Sequence, residues 1–220
     1  MIPDTARDIV YVIAAVLFIF DLKWMAHPRT AVRGNLSGAL GMLIAVLVTL
    51  TAVDSWGLIA GGMLVGAAIG VVLAVRIQMT AMPQLVALFN GFGGLASTLV
   101  AGAELLRFQS PSTDVLVATA ASGVIGSVTF WGSLVAFGKL QGIPVCDKRL
   151  VPVGRQAVNA TLAIVTLLLC AWLVGTPSGL IYLLIAIVAS VLGVLLVNPI
   201  GGADMPVVIA LLNSYSGLAA

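Results

Sequence analysis

The chain has 220 residues, of which 61% are apolar and 8% charged, so it lacks the charged shell that keeps an ordinary globular domain in water. Its formal net charge of +2 is small and dispersed, which excludes the basic stripe of a nucleic-acid-binding protein. A composition of this kind is compatible with lipid as the main solvent.

A bilayer core about 30 Å thick is crossed by roughly 20 apolar residues in a helix. Runs of about that length are predicted at 9–26, 36–53, 56–75, 83–106, 115–137, 157–174 and 180–197, with an eighth at 206–220. The expected fold class is all-α, a polytopic transmembrane helical bundle forming one membrane domain over 1–220. The first run lacks a clear basic segment before it and is followed by further spans, so it reads as a retained helix and not a cleaved signal. From Pro206 to the last residue the chain can build about 22 Å of helix at 1.5 Å per residue. The eighth helix is therefore expected to be incomplete, with a ninth missing.

Lys23, Arg29 and Arg33 follow the first run, Arg76 the third, and Lys139, Lys148, Arg149 and Arg155 the fifth. Only Arg7 and Arg107 fall on the other side, where Asp4, Asp8, Asp54, Glu104 and Asp114 also lie. Because cytoplasmic loops retain positive charge, the N-terminus is expected outside, and a ninth helix would lead back to the cytoplasm. His27, between Ala26 and Pro28, reads as an interfacial residue. Gly62, Gly66 and Gly70 recur every fourth residue and predict a face of the third helix that touches another helix. Glu104 stands near the outer end of the fourth helix, where snorkelling or pairing with Arg107 competes with a role in proton exit. In the fifth helix Ser127, Thr129 and Ser133 are candidate channel-lining residues, the alternative being packing with hydroxyls bonded to their own backbone. Cys146 and Cys170 occupy unlike environments and read as free thiols; with one histidine and no CxxC or HExxH, no metal site is expected.

An internal repeat is the most informative feature. The segment from Met82 to Ala96 aligns without gaps on that from Met205 to Ala219, sharing Met, Pro, Ala, Leu, Asn, Gly, Leu and Ala, with Phe92 opposite Tyr215. Proline suits the first turn of a helix, so both helices are expected to begin near Pro83 and Pro206. Asn90 and Asn213 then lie at one depth, about 10 Å into each helix. An unpaired amide is costly in hydrocarbon, so the pair predicts mutual bonding, ordered water or a polar partner from another chain, and is read as a hydrated path in preference to mere bundle bonding. Asp204, beside Gly201-Gly202, is either a cap favoured by the helix dipole or a gating and coupling residue.

The stretch Met79-Thr80-Ala81-Met82-Pro83 through Leu88-Phe89-Asn90-Gly91-Phe92-Gly93-Gly94, the run Val128-Thr129-Phe130 with Gly138-Lys139-Leu140, and Gly201-Gly202-Ala203-Asp204-Met205-Pro206 through Leu212-Asn213-Ser214-Tyr215-Ser216-Gly217 resemble the beta subunit of proton-translocating NAD(P) transhydrogenase. The resemblance covers nearly the whole chain. It implies a complex of the bacterial cytoplasmic (inner) membrane, an oxidoreductase and translocase that moves a hydride between NADH and NADP⁺ while protons cross. It also implies that NAD(H) binds the alpha subunit, that NADP(H) binds a Rossmann-like domain after the beta membrane helices, and that the whole complex is a dimer. This stretch is then expected to hold no catalytic, cofactor-binding or metal residue. Gly91-Phe92-Gly93-Gly94 falls in an apolar helix and not in a strand-to-helix turn, so it is not a phosphate loop.

Position by position, the resemblance assigns Asn90 and Asn213 to the proton channel and Asp204 to coupling or gating. Some members carry His where this chain has Asn90; an amide cannot carry a proton as imidazole can, so the proton-carrying group is expected from a membrane helix of the alpha subunit. The rival functions are a secondary transporter with a parallel internal repeat, and a purely structural membrane subunit.

Overall fold

The computed structural model describes residues 3–53, 56–107, 111–148, 150 and 154–219. Asp54, Arg149 and Ala220, used above, lie outside the described residues, as does the side chain of Asp4. The chain is all-helical among these residues, in the order α1 (Asp4–Met25), α2 (Ala31–Leu50), α3 (Trp56–Arg76), α4 (Met82–Arg107), α5 (Thr113–Leu140), α6 (Pro144–Asp147), α7 (Arg155–Gly175), α8 (Gly179–Val197) and α9 (Met205–Ala219). Short 3-10 turns, Met79–Ala81 and Gly202–Asp204, lead into α4 and α9 respectively. The repeat seen in sequence is thus also a repeat of local structure: a 3-10 turn, then a helix with proline in its first turn, where a missing N–H is harmless.

Among the described residues six segments are long and apolar enough to cross a membrane: α2, α3, Met79–Arg107, α5, α7 and α8. Of the eight expected spans, α1 carries Asp8, Asp21 and Lys23, and α9 has 15 residues, so these two fall short of that measure. Large apolar side chains are exposed along the helices, among them Leu58, Val75, Leu106 and Leu167. Such a surface is unfavourable in water and suits lipid.

The helices fall into two compact units, Met1–Val72 and Leu73–Ala220. In the first, α1 and α2 form a hairpin. The close approach is made by Gly34, Gly38 and Gly41 of α2: a Cβ on Gly38 would lie 2.6 Å from Asp21 Oδ2, and one on Gly41 3.2 Å from the Ala14 carbonyl oxygen. Ser37 on the same face donates its hydroxyl to the Leu17 carbonyl over 2.8 Å. At the turn, Thr30 donates to the Trp24 carbonyl over 2.6 Å and closes the end of α1, while His27 is exposed. The glycine stripe singled out on α3 behaves differently. None of the residues of α3 is buried, and among the described residues nothing lies within 4 Å of a Cβ placed on Gly62, Gly66 or Gly70. Among the described residues of its own unit this face meets no helix, whereas the glycines of α2 do.

In the second unit α5 is the central helix, packed by α4, α7, α8 and α9. Its composition permits this: Ala120, Gly123, Gly126, Ser127, Gly132, Ser133, Ala136 and Gly138 are all buried and small, so neighbouring backbones come close. A Cβ on Gly94 of α4 would sit 2.7 Å from the Gly126 carbonyl oxygen, and one on Gly193 of α8 2.7 Å from that of Val128. The left-handed Gly142 (φ 68°) ends α5, and the Ile143 N–H bonds back to the Gly138 carbonyl over 2.8 Å.

Two apolar cores form along α5. One gathers Leu105, Leu116, Leu173, Ile181, Tyr182 and Ile185; the other gathers Ala87, Ala136, Val197, Met205, Ile209 and Leu212. Between them, in the order of residues along both α4 and α5, lie Asn90, Thr98, Ser127, Thr129 and Ser133, all buried. Polar groups thus occupy the middle of the unit.

Candidate functional site

Asn90 is placed by α4, whose helical spacing puts Pro83, Val86, Asn90 and Gly93 on one face. Asn213 is placed by α9, whose matching face carries Pro206, Ile209, Asn213 and Ser216. All eight residues line one groove of about 690 Å³, together with Met82, Phe89 and Ala210. The two halves of the sequence repeat therefore present equivalent stripes to a common space, and both amides reach it. Apart from Ser216 its other lining residues are apolar, so the two amides are its main side-chain dipoles.

The two asparagines are not equivalent. Asn90 is 9% exposed and its Nδ2 donates to Ser133 Oγ on α5 over 2.9 Å. Asn213 is exposed to the groove. The bond to Ser133 uses one N–H of Asn90 and leaves the side-chain carbonyl oxygen to accept a proton donor from the groove.

One turn from Ser133, Thr129 is fully buried and its hydroxyl has no hydrogen-bond partner among the described residues. A buried hydroxyl without a partner is costly, and a bound water is the usual remedy. Ser127 stands 3.5 Å from the Thr98 hydroxyl, which itself bonds the Gly94 carbonyl over 3.1 Å. Thr98 also receives, on its carbonyl, the Tyr182 hydroxyl at 2.6 Å. The structure thus joins Asn90 to Ser133, puts Thr129 beside them, and sets Ser127 on a neighbouring pair.

Asp204 is exposed, in the 3-10 turn ahead of α9, and lies apart from the groove lining. The turn before it is held by two residues that the sequence reading did not single out. Lys139, in the last turn of α5, donates from Nζ to the carbonyls of Asn198 and Ile200, the latter over 2.8 Å. The buried Asn198, at the end of α8, donates to the carbonyls of Cys146 and Lys148 (3.3 and 3.0 Å) and accepts the Leu150 N–H at 3.1 Å. Gln84 joins this end of the unit by donating to the Leu140 carbonyl over 3.1 Å. The signal available in sequence was Asn198-Pro199 at the close of an apolar run, which marks a helix end but not its partners.

Gly91 and Gly94, which lie in a glycine-rich run, are spent on helix packing: a Cβ on Gly91 would lie 3.3 Å from Ser133 Cβ, and Gly94 abuts Gly126. Cys146 and Cys170 are free thiols.

Fold and groove together define an integral membrane protein in which two like helices share a polar station between apolar cores. The chain belongs to the NAD(P) transhydrogenase beta subunit family, which it matches over residues 7–220. It is 41% identical to the NAD(P) transhydrogenase subunit beta of Rhodospirillum rubrum, over 96% of this chain and 47% of that protein. A second sequence from the same species matches to the same extent. The chain spans about half the length of the relatives it matches.

Proposed function

We propose that this chain supplies the polar walls of a proton path in the membrane part of an NAD(P) transhydrogenase, coupling proton passage to hydride transfer between NADH and NADP⁺ on soluble domains. The observation that carries the reading is the common groove: Asn90 and Asn213, at matched positions of the repeat, line it together. Family membership supports the assignment of that reaction.

An amide binds water but does not gain or lose a proton near neutral pH, so these two residues position and do not carry. The carrier is an imidazole from a membrane helix of the alpha subunit, seated in the groove. The apolar lining suits such a helix, and the two amides give its ring nitrogens a donor and an acceptor. Asn90 is fixed by Ser133, so it acts as the rigid wall; Asn213 rides on α9, directly after the turn carrying Asp204. Movement of that turn, driven by an NADP(H)-binding domain, would alter the Asn213 side of the groove and leave the Asn90 side in place. A charged solute, as in the rival transporter reading, finds no charged side chain in the groove lining.

The test is Asn213→Leu in the whole complex in liposomes. Proton pumping should be lost while hydride transfer between isolated soluble domains is untouched. Pumping at the parent rate would overturn the reading.

A further inference from the structure

A second groove, of about 620 Å³, runs on from the first. It is lined by Gly93, Ala96, Ser97, Val100, Ala101 and Glu104 of α4 and by Val115, Ala118, Thr119 and Ser122 of α5. Gly93 lines both grooves. The α4 positions 83, 86, 90, 93, 97, 100 and 104 follow one another at three- and four-residue spacing, so a single seam of the helix borders open space from end to end. That seam is about 32 Å long, close to the thickness of a hydrocarbon core. On α5, Thr119 and Ser122 line the second groove, and Thr129 and Ser133 follow them at helical spacing outside the lining, all four buried. At the far end stands Glu104, half-buried and the one carboxylate among the lining residues. Arg107 and Asp114, the other charged residues at this end of α4 and α5, are both exposed and outside the lining.

We infer that the second groove is a hydrated half-path and that Glu104 is the group through which it exchanges protons with the water beyond the Arg107 end of α4. This rests on the proton-path reading above and extends it to the opposite side of the membrane. From Asn90 to Glu104 is about 21 Å along the helix, too far for direct transfer. The hydroxyls of Ser97 and Thr119 hold the intervening waters, and small residues at Gly93, Ala96 and Ala118 leave them room. Each step is a proton transfer between oxygens: the Glu104 carboxylate takes a proton from water and passes one to the groove, and the reverse in the other direction, with no electron moved.

Two measurements on the whole complex in liposomes decide it. Glu104→Gln should slow proton-coupled turnover about tenfold or more, with Glu104→Asp recovering most of it. A Glu104→Gln complex that assembles and pumps at the parent rate overturns the role of Glu104. Independently, in a C146S, C170S background, Ser97→Cys and Thr119→Cys should react with a charged, membrane-impermeant thiol reagent from the far side. Leu99→Cys, on the lipid-exposed face, should not, because only a hydrated thiol ionises. Inert thiols at both groove positions show a dry groove and overturn the half-path, even if Glu104→Gln fails to assemble. Labelled groove thiols with normal pumping in Asn213→Leu would keep the half-path and reject the station at the amides.

Discussion

Asn90 of α4 and Ser133 of α5 are joined by a 2.9 Å hydrogen bond that fixes the side-chain amide at the wall of the groove shared with Asn213. The bond ties the first half of the repeat to the central helix, whereas Asn213 has no equivalent tie among the described residues and is exposed. A repeat of sequence has become an asymmetric pair of side chains.

Ser133→Ala should therefore act on Asn90 and not on packing volume, since a single oxygen is removed. Leaving a buried amide donor without its partner costs about 1–3 kcal/mol, and the amide regains a partner by turning into the groove. The expected outcome is a folded complex with proton-coupled turnover reduced about tenfold, by the equivalence of 1.4 kcal/mol to a factor of ten. Asn90→His should retain coupling, because imidazole can both bond Ser133 and carry the proton. Liposome pumping assays on the two variants, set against their melting temperatures, check this; a Ser133→Ala complex pumping normally would detach Ser133 from the path.

Gly94→Ala and Gly66→Ala make a matched pair. The added methyl at Gly94 would meet the Gly126 carbonyl at 2.7 Å, and backbone cannot step aside as a flexible side chain does. Forcing α4 and α5 apart should cost about 1–3 kcal/mol. At Gly66 the methyl meets nothing within 4 Å among the described residues, so the chain should keep its stability or gain up to about 1 kcal/mol of helix propensity. Thermal unfolding in detergent reads the difference. If Gly66→Ala proves the more harmful in the whole complex, the α3 stripe is packed by another chain.

Much of the fold was legible because hydrocarbon imposes a length and a polarity on each helix. The apolar runs located the helices, and the prolines at 83 and 206 placed the starts of α4 and α9 to within a residue. The meaning of glycine was not legible in the same way. Gly62, Gly66 and Gly70 form the more regular stripe, yet it is Gly34, Gly38 and Gly41 whose face meets a neighbour. Spacing says that a helix can be approached, and the partner's shape decides whether it is. Matched depth of Asn90 and Asn213 could be read from offsets, but not the bond of one to Ser133, which requires the rotation of α5 about its axis. The four-residue α6 and the bonds of Asn198 escaped for a related reason: they depend on carbonyls in loops, whose positions no side-chain pattern encodes.

The Asn198 cluster gives a prediction for the turn that leads to Asp204. Asn198→Ala removes the acceptor of the Leu150 N–H and the donor to the Cys146 and Lys148 carbonyls, all in the segment after α5. Lys139 still holds the Asn198 and Ile200 carbonyls, since those are backbone atoms. The variant should therefore free the backbone at Cys146, Lys148 and Leu150 while α9 keeps its place, with faster amide hydrogen exchange at those three residues and little change at 205–212. Lys139→Met should do the converse and loosen 198–204. Equal loosening of both segments in either variant would mean that the two attachments are one cooperative unit.

Gly93 offers the sharpest steric test, because it belongs to both grooves and a Cβ built on it meets nothing within 4 Å among the described residues. Gly93→Ala should fold normally and narrow the junction by one methyl, leaving room for water. Gly93→Leu adds a side chain large enough to fill the space between the grooves, and because its Cβ meets nothing within 4 Å among the described residues, stability should stay within about 0.5–1 kcal/mol of the parent. A bulky apolar plug breaks a chain of waters at every pH, so proton-coupled turnover should fall by more than tenfold for leucine and only slightly for alanine. A chemical change at Glu104 and a purely spatial one at Gly93 would then give the same loss by different means. If leucine instead leaves pumping intact, protons do not pass between the two grooves at this point, and the path must leave the Asn90 station by way of Thr129 and α5.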